Sequence, residues 1–153
     1  MILDTILSDH QAGRDLFALA GNSVFEGYAE RADLFERFNA MWTAHADMMD
    51  GAVYPVLAEV THRTEALEEF RKGQRELHGM IASLAARAGD RSNTSDHWFA
   101  DFHRLKPVYE HQVDREETLI AAMIQEDLKP EQIARMTVAA RQIREGRGTC
   151  VSL

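Results

Sequence analysis

Four histidines carry the chemistry this chain offers. His10, His45, His78 and His111 each fall on the apolar stripe of a separate expected helix. Neutral imidazole is the commonest protein ligand for iron, copper and zinc. One histidine on such a stripe is ordinarily a packed core residue. Four, one to a helix, point to a metal site inside a helical bundle. Carboxylates accompany two of them. Glu116 follows His111 by five residues, and Asp50 follows His45 by the same interval. Five residues turn an ideal helix through about 140°, so both members of a pair reach one centre only where the helix is locally widened. A π-bulge does this, and such bulges concentrate at functional sites.

The elements that must position these groups read as helices almost everywhere. The first runs from about Ile2 to Ala20, with Leu3, Ile6, His10 and Phe17 on one face, and stops at Gly21, Asn22 and Ser23. The second spans about Arg31 to Val60, with Leu34, Phe38, Met41, His45, Met48 and Ala52 in register. The third spans about Thr64 to Ala88, with Leu67, Gln74, His78, Ile81 and Ala85, and ends in a loop marked by Gly89, Asp90, Ser92 and Asn93. The fourth runs from Ser95 to about Gln125. A shorter fifth starts at Pro130, a favourable first-turn residue, and fades near Gly146. No β pattern, repeat or linker competes. Long helices with short connections favour antiparallel neighbours, so the expectation is all-α: one domain over residues 1–153, an up-down four-helix bundle with a short C-terminal fifth helix. Pro55 and Pro107 fall inside helical patterns and should each bend or break the helix. Trp42 and Trp98 read as core anchors. Tyr54 and Tyr109 read as core residues with satisfied hydroxyls. His62, His97 and His103 read as solvated. Gly13, one turn after His10, opens room either for a ligand or for a close helix contact.

Two stretches, His45 to Pro55 (HADMMDGAVYP) and His111 to Ile120 (HQVDREETLI), resemble the second- and fourth-helix signatures of the hemerythrin-like (HHE) cation-binding family. His10 in Ser8-Asp9-His10 and His78 in Glu76-Leu77-His78 match the single histidines of helices one and three. The resemblance covers roughly residues 2 to 125. It implies a four-helix bundle holding two non-haem irons bridged by carboxylates and an oxo or hydroxo group. His10, His45, His78 and His111 would be terminal ligands and Glu116 one bridge. The chain departs at the second bridge, where Met49 stands in place of the family's glutamate. A thioether is soft and neutral and cannot replace an anionic bridge between hard ions. Asp50 is the nearest substitute. A second helix-three histidine of the oxygen carriers appears as Gln74. The site could therefore hold two irons, one metal or none.

Composition narrows the class further. The 153 residues carry a formal net charge of -8, which repels nucleic-acid backbones and anionic lipid. No apolar run is long enough for a bilayer. The N-terminus lacks a basic segment, so no signal peptide is expected. The single cysteine, Cys150, fits a reducing, cytoplasmic setting. It opens a loose prenylation pattern, Cys150-Val151-Ser152-Leu153, that nothing else supports. Only Glu59-Val60-Thr61-His62 fits a ferritin-like pair. His-Glu-x-x-His, Cys-x-x-Cys and a Gly-rich phosphate loop are absent. The leading expectation is thus a cytoplasmic di-iron protein binding or sensing oxygen, nitric oxide or peroxide. The alternatives are a weak peroxide-consuming di-iron enzyme, or a bundle without metal serving as an interaction module for a protein partner. No separate acid–base apparatus accompanies the histidines, so binding ranks ahead of catalysis.

Overall fold

The computed structural model describes residues 1–20, 28–88 and 95–151. The stop and loop residues Gly21, Asn22, Ser23, Gly89, Asp90, Ser92 and Asn93 lie outside them, as do Ser152 and Leu153. The described residues are all helical, with short connections and no strand. Helix α1 is Ile2–Ala20. Helix α2 is Tyr28–Met48 and passes through a π-helical turn, Met49–Val53, into α3, Tyr54–Val60. Helix α4 is Thr64–Arg87. Helix α5 is Ser95–Arg115 and passes through a second π turn, Glu116–Ile120, into α6, Ala121–Asp127. Helix α7 is Pro130–Val151, running past the expected stop at Gly146. An isolated helical glycine costs only about 1 kcal/mol relative to alanine, too little to end a helix. The helices pack as a bundle: α1 on α2, α2 on α4, α4 on α5, with α7 laid over α1, α2 and the first π turn.

Pro55 sits where the ladder tolerates it. Pro55 follows the first π turn at the opening of α3, and the Tyr54 N–H reaches five residues back to the Met49 carbonyl. The missing proline donor therefore falls at a segment that has already changed register. Helix α5 runs through Pro107 without interruption.

The core divides in two. Ile2, Ile6, Met48, Met49, Leu57, Phe70, Ile120 and Met123 belong to one cluster. Phe17, Phe38, Trp42, Leu77, Trp98, Phe102, Tyr109 and Val113 belong to the other. Along each helix one polar residue separates the two sets. It is His10 between Ile6 and Phe17, His45 between Trp42 and Met48, Gln74 between Phe70 and Leu77, and Glu116 between Val113 and Ile120. A polar belt thus crosses the bundle at one level, walled by apolar packing on both sides.

Other expectations for packing hold locally. Trp42 and Trp98 are buried, and the Trp98 indole N–H donates to the Leu84 carbonyl at 3.1 Å. His62, His97 and His103 are exposed. The Tyr109 hydroxyl differs from expectation: it is buried with no hydrogen-bond partner among the described residues. Gly13 answers to a close contact, since a Cβ there would fall 2.1 Å from that hydroxyl oxygen.

Candidate metal centre

The belt brings three of the six expected site residues together. His10, His45 and Glu116 are buried, and one ligand atom from each lies within 4.8 Å of the other two. His45 Nε2 lies 2.6 Å from Glu116 Oε1 and His10 Nε2 lies 3.2 Å from the same oxygen. The second π turn begins at Glu116, downstream of the His111–Glu116 interval, so it does not bring those two side chains to one centre. Glu116 continues the inward stripe of α5, which reads Trp98, Phe102, Leu105, Tyr109, Val113 at spacings of three or four.

Each imidazole is gripped from behind. The His45 Nδ1–H donates to Asp9 Oδ2 at 2.8 Å, and Arg144 from α7 donates to that same oxygen. The His10 Nδ1–H donates to Glu117 Oε1 at 2.9 Å, and Arg14 donates to it at 3.4 Å. Two relays of arginine, carboxylate and imidazole therefore converge on Glu116. Such outer partners fix ring orientation and tautomer in metal sites. Trp42 covers both rings, with centroids 5.0 Å from His45 and 6.5 Å from His10. The other Glu116 oxygen, Oε2, accepts a hydrogen bond from the Gln74 amide.

Charge at this point is set by the relays. Burial opposes an imidazolium at His45, but the Glu116 charge and the bond to Asp9 outweigh it and raise its pKa to about 9. Burial likewise opposes ionised Glu116, yet the His45 charge and the His10 hydrogen bond hold it down at about 2. Asp9 is lowered as well: burial raises it, and His45 and Arg144 more than offset this. With both Nδ1 protons directed outward, two Nε2 lone pairs and a carboxylate oxygen face one another. A cation must sit among them, either a proton on His45 or a metal ion. First-row divalent ions bond such atoms at about 2.0–2.2 Å, which sets neighbouring ligand atoms about 3 Å apart. Two imidazoles and one carboxylate with open positions are the donor set of non-haem iron(II). The residues present fit one such ion.

The remaining expected ligands stand elsewhere. His111 is exposed and borders a surface groove with Glu69, Lys72, Gln112 and Arg115. Its expected inward position is corrected by helix geometry: it lies two residues, about 200°, from both Tyr109 and Val113 on the inward stripe. His78 is half-buried on the flank of α4, its Nε2 3.1 Å from the Thr43 hydroxyl. It lines a cavity of about 40 Å³ beside His45, together with Met49, Asp50, Tyr54, Arg71 and Gln74. Asp50 is exposed at that cavity and stands outside the three-residue cluster. Met49 is buried. The Tyr54 hydroxyl is held neutral, its pKa raised well above the usual value by burial and then by the Glu116 charge.

Asp9, Glu117, Gln74 and Arg144 were not among the expected site residues. A signal existed for two of them. Asp9 precedes His10 and Glu117 follows Glu116, so each stands about 100° around the helix from an inward residue. At that angle an acid faces the neighbouring helix: Asp9 serves His45, and Glu117 serves His10. Nothing local marks Arg144, which is 135 residues from Asp9.

A family model described as the hemerythrin HHE cation binding domain matches residues 1–124. No curated protein and no solved structure matches the chain.

Proposed function

The chain belongs to the hemerythrin HHE cation-binding family, and we propose that it holds a single non-haem metal ion, iron(II) for preference, among His10, His45 and Glu116. One observation carries this reading: both Nε2 atoms aim at one buried carboxylate oxygen while both Nδ1 atoms are tied to acids. A single ion is favoured over the bridged pair for reasons specific to this chain. Glu116 Oε2 is occupied by the Gln74 amide, so it cannot serve a second ion without losing that bond. Met49 offers no anion, and His111 faces outward.

Bound iron supplies open coordination positions for oxygen, nitric oxide or peroxide. The protein's own residues do the rest. Asp9 and Glu117 hold the two imidazoles in the Nε2-donor tautomer. Arg144 and Arg14 balance those outer carboxylates, which leaves the Glu116 charge for the ion. Trp42, Met48 and Ile6 exclude bulk water, and the cavity beside His45 gives a small molecule room. The helix order and short connections support an up-down arrangement of α1, α2–α3, α4 and α5–α6 in one domain with α7 alongside. The single cysteine supports a reducing, cytoplasmic setting.

The test is a metal titration of purified protein and four variants. H10A, H45A and E116Q each lose binding, while H111A binds as the wild type does. Retained binding in all of the first three, or loss in H111A equal to theirs, overturns the assignment.

A further inference from the structure

We propose that Arg144 is a positioning residue of this centre, and that α7, a helix beyond the family-matched region, is thereby built into the metal site. The inference rests on the metal reading above and adds an element that the family match, ending at residue 124, does not contain.

Three contacts fix α7 against the bundle. The Ile2 N–H donates to the Thr137 hydroxyl at 3.1 Å. Met136 and Ala140 enter the same core cluster as Met48, Met49 and Val53. Ile143 lies against Gly51 in the first π turn, where a Cβ would stand 2.7 Å from the isoleucine Cδ1. Residues 137, 140 and 144 share one side of the helix by their spacing of three and four. Arg144 is consequently carried to Asp9.

The contact is specific in its atoms. Arg144 and His45 both bond Asp9 Oδ2, and the Asp9 side chain is only 11% exposed. Arg144 therefore pins the one oxygen that sets the His45 ring. Freed from the guanidinium, the carboxylate can rotate, and His45 loses the partner that fixes its tautomer. The His10 relay draws its arginine from α1 itself, inside the matched region. The His45 relay alone draws its cation from α7. Holding the site and docking α7 are then one linked equilibrium, and linkage acts in both directions.

The experiment titrates cobalt(II) into wild type, R144M, R144K and the exposed same-helix control R141M, following visible absorption. Loss of an outer hydrogen-bond partner typically weakens metal binding about 10- to 100-fold. R144M should fall in that range with an altered cobalt spectrum. R144K should recover part of the affinity, and R141M, which changes net charge equally, should match the wild type. R144M that binds as tightly as R141M, with the same spectrum, overturns the inference while leaving the metal reading standing. A wild type that takes up no cobalt overturns both. Should R144M fail to fold, amide hydrogen exchange in the wild type decides: cobalt should slow exchange along α7, and unchanged exchange overturns the inference.

Discussion

At the scale of single residues, the proposed centre would set a proton on His45 and a metal ion in competition for one position. In the metal-free protein His45 is raised from 6.5 to about 9, so its charged pairing stabilises the fold fully below about pH 6.5 and is lost as pH rises through about 9. Glu116 is depressed from 4.5 to about 2, so its share is present above about pH 4.5 and is lost as pH falls through about 2. Metal-free protein should therefore melt highest between these limits, and its melting temperature should drop from pH 6.5 to 9. A flat profile across that interval would contradict the His45–Glu116 pairing. Gly13 makes a second prediction. Tyr109 is wedged by Phe17, Phe38 and Trp42, so its hydroxyl cannot retreat from a new methyl 2.1 Å away. G13A should destabilise by about 1–3 kcal/mol, the usual cost of overpacking a core. Y109F should be nearly neutral, because it removes a buried hydroxyl that has no partner. Combined with Y109F, G13A should cost much less, since the clashing oxygen is gone. Additive costs in denaturation curves of the three variants would exclude this contact.

At the scale of elements, ordinary helical register places His10, His45 and Glu116, and the two π turns begin at Met49 and Glu116. Each adds one residue to a helix, and each begins four or five positions after a histidine named in the sequence. The limits of Ile2–Ala20 and the start at Pro130 were legible in the sequence, because apolar spacing and stop residues are local signals. A π turn does occur at Glu116, but the reason for expecting one, a centre shared by His111 and Glu116, does not hold. The orientation of His111 was not legible. Its helix carries apolar residues on more than one face, and only the stripe through Leu105, Tyr109 and Val113 is buried. The Arg144 relay was equally hidden, since periodicity within a helix carries nothing about which side chain crosses to another. Gln74 was visible as a departure from histidine, but its bond to Glu116 required the packed structure.

At the scale of the whole molecule, a metal ion held as proposed would link the helices that supply His10, His45 and Glu116, and through Arg144 it would reach α7. An ion that binds only the folded chain stabilises it by about 2.7 kcal/mol at a hundredfold excess over the dissociation constant. Iron or cobalt should accordingly raise the melting temperature in a concentration-dependent way, and a chelator should reverse the gain. No described helix is long and apolar enough to cross a membrane. The two apolar clusters lie on either side of a polar belt in which His10, His45 and Glu116 each turn one ligand atom inward, and the proposed reading is one ion there rather than a bridged pair. Metal analysis of protein loaded with iron(II) without oxygen, then exposed to air and followed by absorption, tests this most directly. The expected result is one iron per chain, without the near-ultraviolet band of an oxo-bridged pair. Two irons with that band, or none after reconstitution, would contradict it.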